Sequence, residues 1–295
     1  MNNYKYRKNT YPIGNSTITS HTYDSWESWN KLLVIWAIHW NEICWPQAIN
    51  LIIKDINENI LSLVSGSVTF IPVSNPEAFK QNIRIINKDL WRNFILENLW
   101  NSYEDQIIQI ISTYVDNSDY LLDIHSTQAK SKPCVFQDWE TEKNSAFALS
   151  LWINDIITWW PNIYIENDSP DVNMYAHTKD KTWVLVECGS HLDIAAKHVW
   201  YNAIQNSLLH TNITQDNNTT VKNDVNNNVI NIEKLYTKDK KWVFTKKWKH
   251  LEKITQWEAI LEYLDWEIIY AEKDCYILFP KDNANIWDEW YYLWY

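Results

Sequence analysis

Glycine is nearly missing from this chain: three residues in 295, against a usual share of about 7%. A soluble α/β or β protein needs glycine wherever the backbone takes a positive φ. Arginine is almost as scarce. Arg7, Arg84 and Arg92 are the only three, beside 23 lysines. The four cysteines, Cys44, Cys134, Cys188 and Cys275, show no CxxC spacing. That excludes a zinc ribbon or a dithiol redox pair and fits free thiols in a reducing cytosol. No apolar run approaches the length of a membrane span. The polar segment 1–29 lacks the apolar core of a signal peptide. A net charge of −11 argues against nucleic-acid or anionic-membrane partners, which require a basic footprint. The expected location is cytoplasmic, and homo-oligomerisation is left open.

What replaces the missing glycine is tryptophan, with twenty residues. Trp and Gly together make up roughly 8% of the chain, an ordinary glycine share. Many Trp residues sit beside turn formers, as in Asp138-Trp139, Asp265-Trp266, Trp159-Trp160-Pro161 and Trp287-Asp288. Such turns favour a residue without a Cβ. The pattern predicts that most of these positions are glycine in the living protein. UGA codons, read as Gly in some bacterial lineages and as Trp in others, would produce it. The alternative is a Trp-rich binding module that stacks on sugars or bases, which needs literal indoles facing solvent on strands.

The pattern of apolar runs predicts an α/β fold. Strands are expected at 31–38, 67–73, 120–124 and 183–187. Helices are expected at 46–60, 99–114, 147–158 and 192–209. Their alternation implies a mostly parallel sheet flanked by helices. The Asn-rich stretch 214–228 reads as a linker, and the short alternating segments of 229–295 as a small β-rich domain. The expected organisation is a polar lead-in (1–29), a catalytic domain (30–213), the linker and the C-terminal domain.

His39, His125 and Glu187 fall at the C-terminal ends of expected strands, where open α/β sheets place their sites. Around His39 the sequence is WAIHWNEICW (36–45), or GAIHGNEICG with glycine restored. His39 and Glu42, three residues apart in a glycine-rich backbone, can turn toward one zinc ion. His125 in LDIHST (122–127) supplies a third ligand, leaving a fourth position for water. Asp123 is placed to give outer support. An indole at Trp36 or Trp40 would be expected to cross the mouth of such a pocket.

These motifs resemble the succinylglutamate desuccinylase/aspartoacylase family, of zinc carboxypeptidase-like fold, over roughly residues 30–295. The G-x-H-G-N-E motif is similar to 36–42 if Trp36 and Trp40 are glycine, with one extra residue before His39. The stretch from Asn75-Pro76 through Arg84 to DLWRNF (89–94) resembles N-P…R…D-L-N-R-x-F. Asp123 to Thr127 resembles D-I-H-x-T, Glu187-Cys188-Gly189 resembles E-x-G, and WDEWYYL (287–293) resembles the closing segment. The resemblance implies a deacylase acting on a small N-acyl amino acid. One zinc per chain would be held by His39, Glu42 and His125. Glu187 would be the general base, Arg84 would stabilise the oxyanion, and Arg92 and Tyr291 would bind substrate. Trp91 stands where the family has Asn. The Arg that some members carry about ten residues before the catalytic Glu is missing from 177–181. A zinc carboxypeptidase acting on peptides is the neighbouring alternative.

Overall fold

The structure is a computed structural model. It describes residues 4–27, 29–36, 46–83, 85–90, 94–96, 102–127, 131–137, 141–158, 170–190, 193, 195–215, 227–263 and 266–295, with 46–48 in backbone only. Three parallel strands form its centre: β3 (Lys31–Trp36), β5 (Tyr120–Thr127) and β8 (Thr182–Ser190). Each is a nearly continuous apolar run because both faces are covered. β4 (Ser67–Ile71) lies parallel to β3 on the far side from β5.

Alternation along these strands divides the core into two clusters. Leu122, Ile124, Val184, Val186 and Cys188 face one. Leu33, Ile35, Leu121, Trp183 and Leu185 face the other. On the first face lie α1 (Pro46–Asn57), α4 (Glu142–Ser150) and α6 (Ala196–His210), which give Ile52, Phe147 and Ile204. On the second lie α3 (Tyr103–Asp116) and α5 (Val172–Thr178). Ile107, Ile108, Ile111 and Val115 of α3 form the apolar stripe that a 3.6-residue period puts on one side.

The segment 1–29, read as a polar lead-in, contains a hairpin. β1 (Tyr4–Ile13) and β2 (Ser16–Ser25) turn at Gly14 and pair onto β4 at the sheet edge. At the other edge β6 (Cys134–Phe136), β7 (Asp155–Thr158) and β9 (Asn228–Asn231) complete nine strands in the order β1-β2-β4-β3-β5-β8-β6-β7-β9. The expected boundary at 229 thus falls inside a strand of the main sheet. The expected linker is described only at its ends.

The helix expected over 147–158 is a second correction. α4 stops at Ser150, Trp152 enters the left-handed region at φ 60°, and Asp155–Thr158 pairs as β7. Apolar spacing cannot separate a buried strand from a helix over so short a run.

Beyond β9 the chain forms two antiparallel sheets. One holds β10 (Lys234–Thr237), β12 (Glu252–Ile254), β15 (Cys275–Leu278) and β16 (Glu289–Trp294). The other holds β11 (Val243–Phe244), β13 (Ala259–Tyr263) and β14 (Glu267–Tyr270). They enclose a third core of Trp242, Trp248, Ile260, Ile277, Trp290 and Tyr291.

Candidate active site

The C-terminal ends of β5 and β8 bring His125 directly across from Glu187. Neighbouring strands lie about 4.8 Å apart, so the two side chains rise side by side. His125 is 3% exposed and Asp123 fully buried. The His125 Nε2 atom lies 3.1 Å from Asp123 Oδ1. The other Asp123 oxygen accepts a 3.0 Å hydrogen bond from Asn173 Nδ2 on α5. A buried carboxylate is tolerable only with such partners.

Asp171 caps α5, accepting from the backbone N–H groups of Asn173 and Met174 at 2.8 Å each. Burial pushes its carboxyl up to about 7; the Met174 and Asn173 N–H donors oppose that rise, and the nearby Asp123 charge adds to it. Neither Asp171 nor Asn173 was singled out in the sequence. The one available cue was a cap-forming Asp after Pro170.

Beyond His125 and Glu187 the two strands slip out of register, Thr127 pairing with Ser190. Gly189 absorbs the slip at φ +99°, a conformation closed to most residues, and a Cβ there would come within 3.3 Å of the Ser131 carbonyl. Thr127 Oγ1 bonds Ser131 Oγ and donates to the Gly189 carbonyl at 3.4 Å. The E-x-G and D-x-H-x-T motifs are therefore two sides of one bulge. Cys134, opposite Glu187 on β6, is wholly buried. Burial first, then the Glu187 charge, raises its thiol well above the usual range.

His39, Glu42, Arg84 and Arg92 lie outside the described residues, but the chain around them is described. Asn75 caps α2 (Pro76–Gln81) through Ala78 N–H, with Pro76 in its first turn. Ser74 N–H donates to the Trp36 carbonyl at 2.9 Å. The Asn-Pro motif thus starts where β3 ends, three residues before His39. After Arg84, the backbone N–H groups of Ile86 and Asn87 donate to Glu104 Oε1 at 3.2 and 2.8 Å. Lys88 pairs with Asp105 at 2.5 Å. Two residues past Arg92, Phe94 N–H donates to the Pro170 carbonyl at 2.8 Å.

Two expectations change. Trp36 does not cross a pocket: it is buried against Phe79 in the cluster on the face opposite His125 and Glu187. Trp40 is outside the described residues. Tyr291 is buried in the C-terminal core, stacked 4.5 Å from Tyr236. Alternation on β16 instead turns Tyr292 toward Phe279 and the cluster shared with the main sheet. Residues 177–178 end α5, and 179–181 turn into β8, which starts at Thr182. Among the described residues no group of three or more His, Cys, Asp or Glu is gathered around a metal position.

Residues 28–199 match the succinylglutamate desuccinylase/aspartoacylase catalytic domain. No curated protein matches the chain by sequence. Among solved structures, a succinylglutamate desuccinylase/aspartoacylase from Rhodobacter sphaeroides superposes with a TM-score of 0.75 at 12% identity, covering 100% of this chain and 96% of that one. The ectoine utilization protein EutE (DoeB) from Ruegeria pomeroyi, solved with product bound, gives 0.74 at 12%, covering 100% and 95%. A succinylglutamate desuccinylase from Vibrio cholerae gives 0.73 at 13%, covering 98% and 90%. With more than half of its length matched by the catalytic-domain model and the fold shared end to end, the chain belongs to the succinylglutamate desuccinylase/aspartoacylase family of hydrolases.

Proposed function

We propose that this chain is a zinc-dependent amidohydrolase that removes the acyl group from a small N-acyl amino acid. One zinc per chain is assigned to His39, Glu42 and His125. The observation that carries the reading is the buried His125, braced by Asp123 and placed level with Glu187 at the strand ends. A metal-binding imidazole characteristically turns its second nitrogen to a carboxylate, and the 3.1 Å approach of Nε2 to Asp123 Oδ1 supports that reading. When bound, the zinc would lower the pKa of a water and polarise the scissile carbonyl.

The remaining roles belong to the chain. Glu187 takes the water proton and returns it to the leaving amine. Arg84 stabilises charge developing on the carbonyl oxygen, and Arg92 holds a substrate carboxylate with a bidentate fork. The similar structures named for succinylglutamate and ectoine chemistry suit a small acidic amide better than a peptide. The free, buried thiols of Cys134 and Cys275 suit a cytoplasmic setting. No described helix is long and apolar enough to cross a membrane. His39→Ala protein should lose its zinc; undiminished zinc by metal analysis would overturn the ligand assignment.

The reading extends to the tryptophans, most of which we assign as glycine. Trp152, Trp257 and Trp287 have φ of 60°, 66° and 74°. A side chain in that region costs about 1–2 kcal/mol. Trp36, Trp183 and Trp290 bury an indole N–H with no partner among the described residues, which native interiors rarely do. Trp242 and Trp248 differ: their N–H groups reach Asp239 Oδ1 at 3.1 Å and the Ile260 carbonyl at 3.4 Å. Those two have the surroundings of real tryptophans. A stacking module is disfavoured, since the exposed Trp26, Trp257 and Trp287 sit at bends and turns rather than along one strand face. The codons decide: UGA at 152, 257 and 287 supports glycine, and UGG there refutes it.

A further inference from the structure

The short turn that starts α5 is fastened to both halves of the proposed site. On one side, the Pro170 carbonyl holds Phe94 N–H at 2.8 Å, and the Phe94 ring packs 5.4 Å from Tyr175. This anchors the backbone just beyond Arg92. On the other side, Asn173 Nδ2 donates to Asp123 Oδ2 at 3.0 Å, and Asp123 Oδ1 lies 3.1 Å from His125 Nε2. Asp171 locks the turn between them by accepting two backbone N–H groups. Asn173 is 1% exposed, so water is no substitute for its amide.

An aspartate terminal torsion is soft and broadly distributed. A carboxylate held at one oxygen only can rotate, and an imidazole resting on it can tilt with it. The Asn173 amide removes that freedom by gripping the second oxygen.

We propose that Asn173 is a positioning residue that sets the plane of the Asp123 carboxylate and, through it, the orientation and tautomer of His125, so that Nδ1 is the ring atom presented to the metal. The nitrogen that binds metal is decided by the bond the other one makes. Here it is Nε2 that faces the carboxylate, 3.1 Å from Asp123 Oδ1. The inference rests on the reading of His125 as a zinc ligand.

The test uses Asn173→Asp, which is isosteric but replaces the donor by a like charge, and Asn173→Leu. Zinc affinity is read by competition with a chromophoric chelator, and ligand geometry by the visible spectrum of the cobalt-substituted protein. Both variants should bind zinc about 10- to 100-fold more weakly, the range for lost outer partners of metal ligands. Their cobalt bands should shift. Unchanged affinity and spectrum, with only the unfolding midpoint lowered, would overturn the proposal and leave Asn173 a packing residue. His125→Ala separates the two readings. If it keeps full zinc affinity, the zinc reading fails and this inference with it. If it loses zinc while both Asn173 variants keep it, only this inference fails. Should neither variant fold, wild-type protein with isotope-labelled histidine and bound cadmium gives the answer. Metal coupling at His125 Nδ1 supports the assignment, and coupling at Nε2 overturns it.

Discussion

The central sheet and the C-terminal β region handle charge in opposite ways. At the strand ends of the sheet, Asp123, His125, Asp171, Asn173 and Glu104 are buried and contact one another or nearby backbone. In the C-terminal region most of the described ion pairs are at the surface, among them Lys253 with Asp274 at 3.1 Å, and Lys246 with Glu252 and Glu258. Surface pairs of this kind contribute little to stability. Buried polar groups cost free energy unless each is satisfied, and they accumulate where orientation matters. The difference marks the sheet ends as the part built to hold side chains in place, and the C-terminal region as the part built to hold a shape.

The strongest test of that contrast is Glu187→Gln. The side chain keeps its size but can no longer take a proton. Turnover should fall by about two to four decades, with zinc content unchanged. Near-full activity would move the base elsewhere and remove the functional meaning of the His125–Glu187 register.

Glycine restoration comes next and acts in both regions. Trp257 and Trp287 are exposed in the C-terminal region at positive φ. Glycine at each should raise stability by about 1 kcal/mol, through relief of backbone strain alone. Glycine at 36 and 183, in the sheet, together with glycine at 40 and 45, should change function, yielding soluble, zinc-loaded, active protein where the literal sequence misfolds or is inactive. Activity in the literal Trp protein and none in the Gly version would reverse the assignment.

Arg92→Lys gives a smaller and more selective effect. Lysine keeps the charge but lacks the bidentate fork, so KM for an acidic acyl amino acid should rise well above any change seen in Arg7→Lys. Arg7 is a half-exposed residue paired with Asp24. Equal kinetics for the two variants would place Arg92 outside the site.

How much of this was legible in the sequence follows from the same contrast. β3, β5 and β8 stood out because strands covered on both faces read as unbroken apolar runs. His125 and Glu187 were visible as polar groups at the ends of those runs, with Asp123 two residues before His125. The hairpin Tyr4–Ser25 was hidden: its strands are mostly Tyr, Thr, Ser and Lys, and its β1 face is largely exposed. The helix misread at 147–158 has a second cause besides the ambiguity of a short apolar run. Trp152 stands at the left-handed position where a glycine would have announced the end of α4. Asn173 was illegible because it lies 50 residues from Asp123, and only the packing of α5 on β5 joins them.

The smallest effect compares one carboxylate from each region. Asp105 is nearly buried and sits behind the chain that leads from Arg84 to Arg92. Burial would raise its carboxyl, but Lys88 and the Ser102 hydroxyl and N–H outweigh it and hold it at about 2, below its ordinary 3.8. A carboxylate depressed in the folded state contributes stability that is complete above its unfolded pKa and lost as pH falls through the folded one. The contribution should therefore be intact above pH 4 and disappear toward pH 2. It amounts to about 1–2 kcal/mol, discounted because Lys88 is partly exposed. Lys88→Met should flatten that part of the stability profile in urea unfolding. Asp274 is also lowered, first by the Gln256 N–H and then by Lys253. Its carboxylate is open to water, however, and salt screens the pair. Lys253→Met should therefore leave the acid limb unchanged in the same measurement. Equal flattening by both substitutions would mean that the two regions do not differ in how they hold their charges.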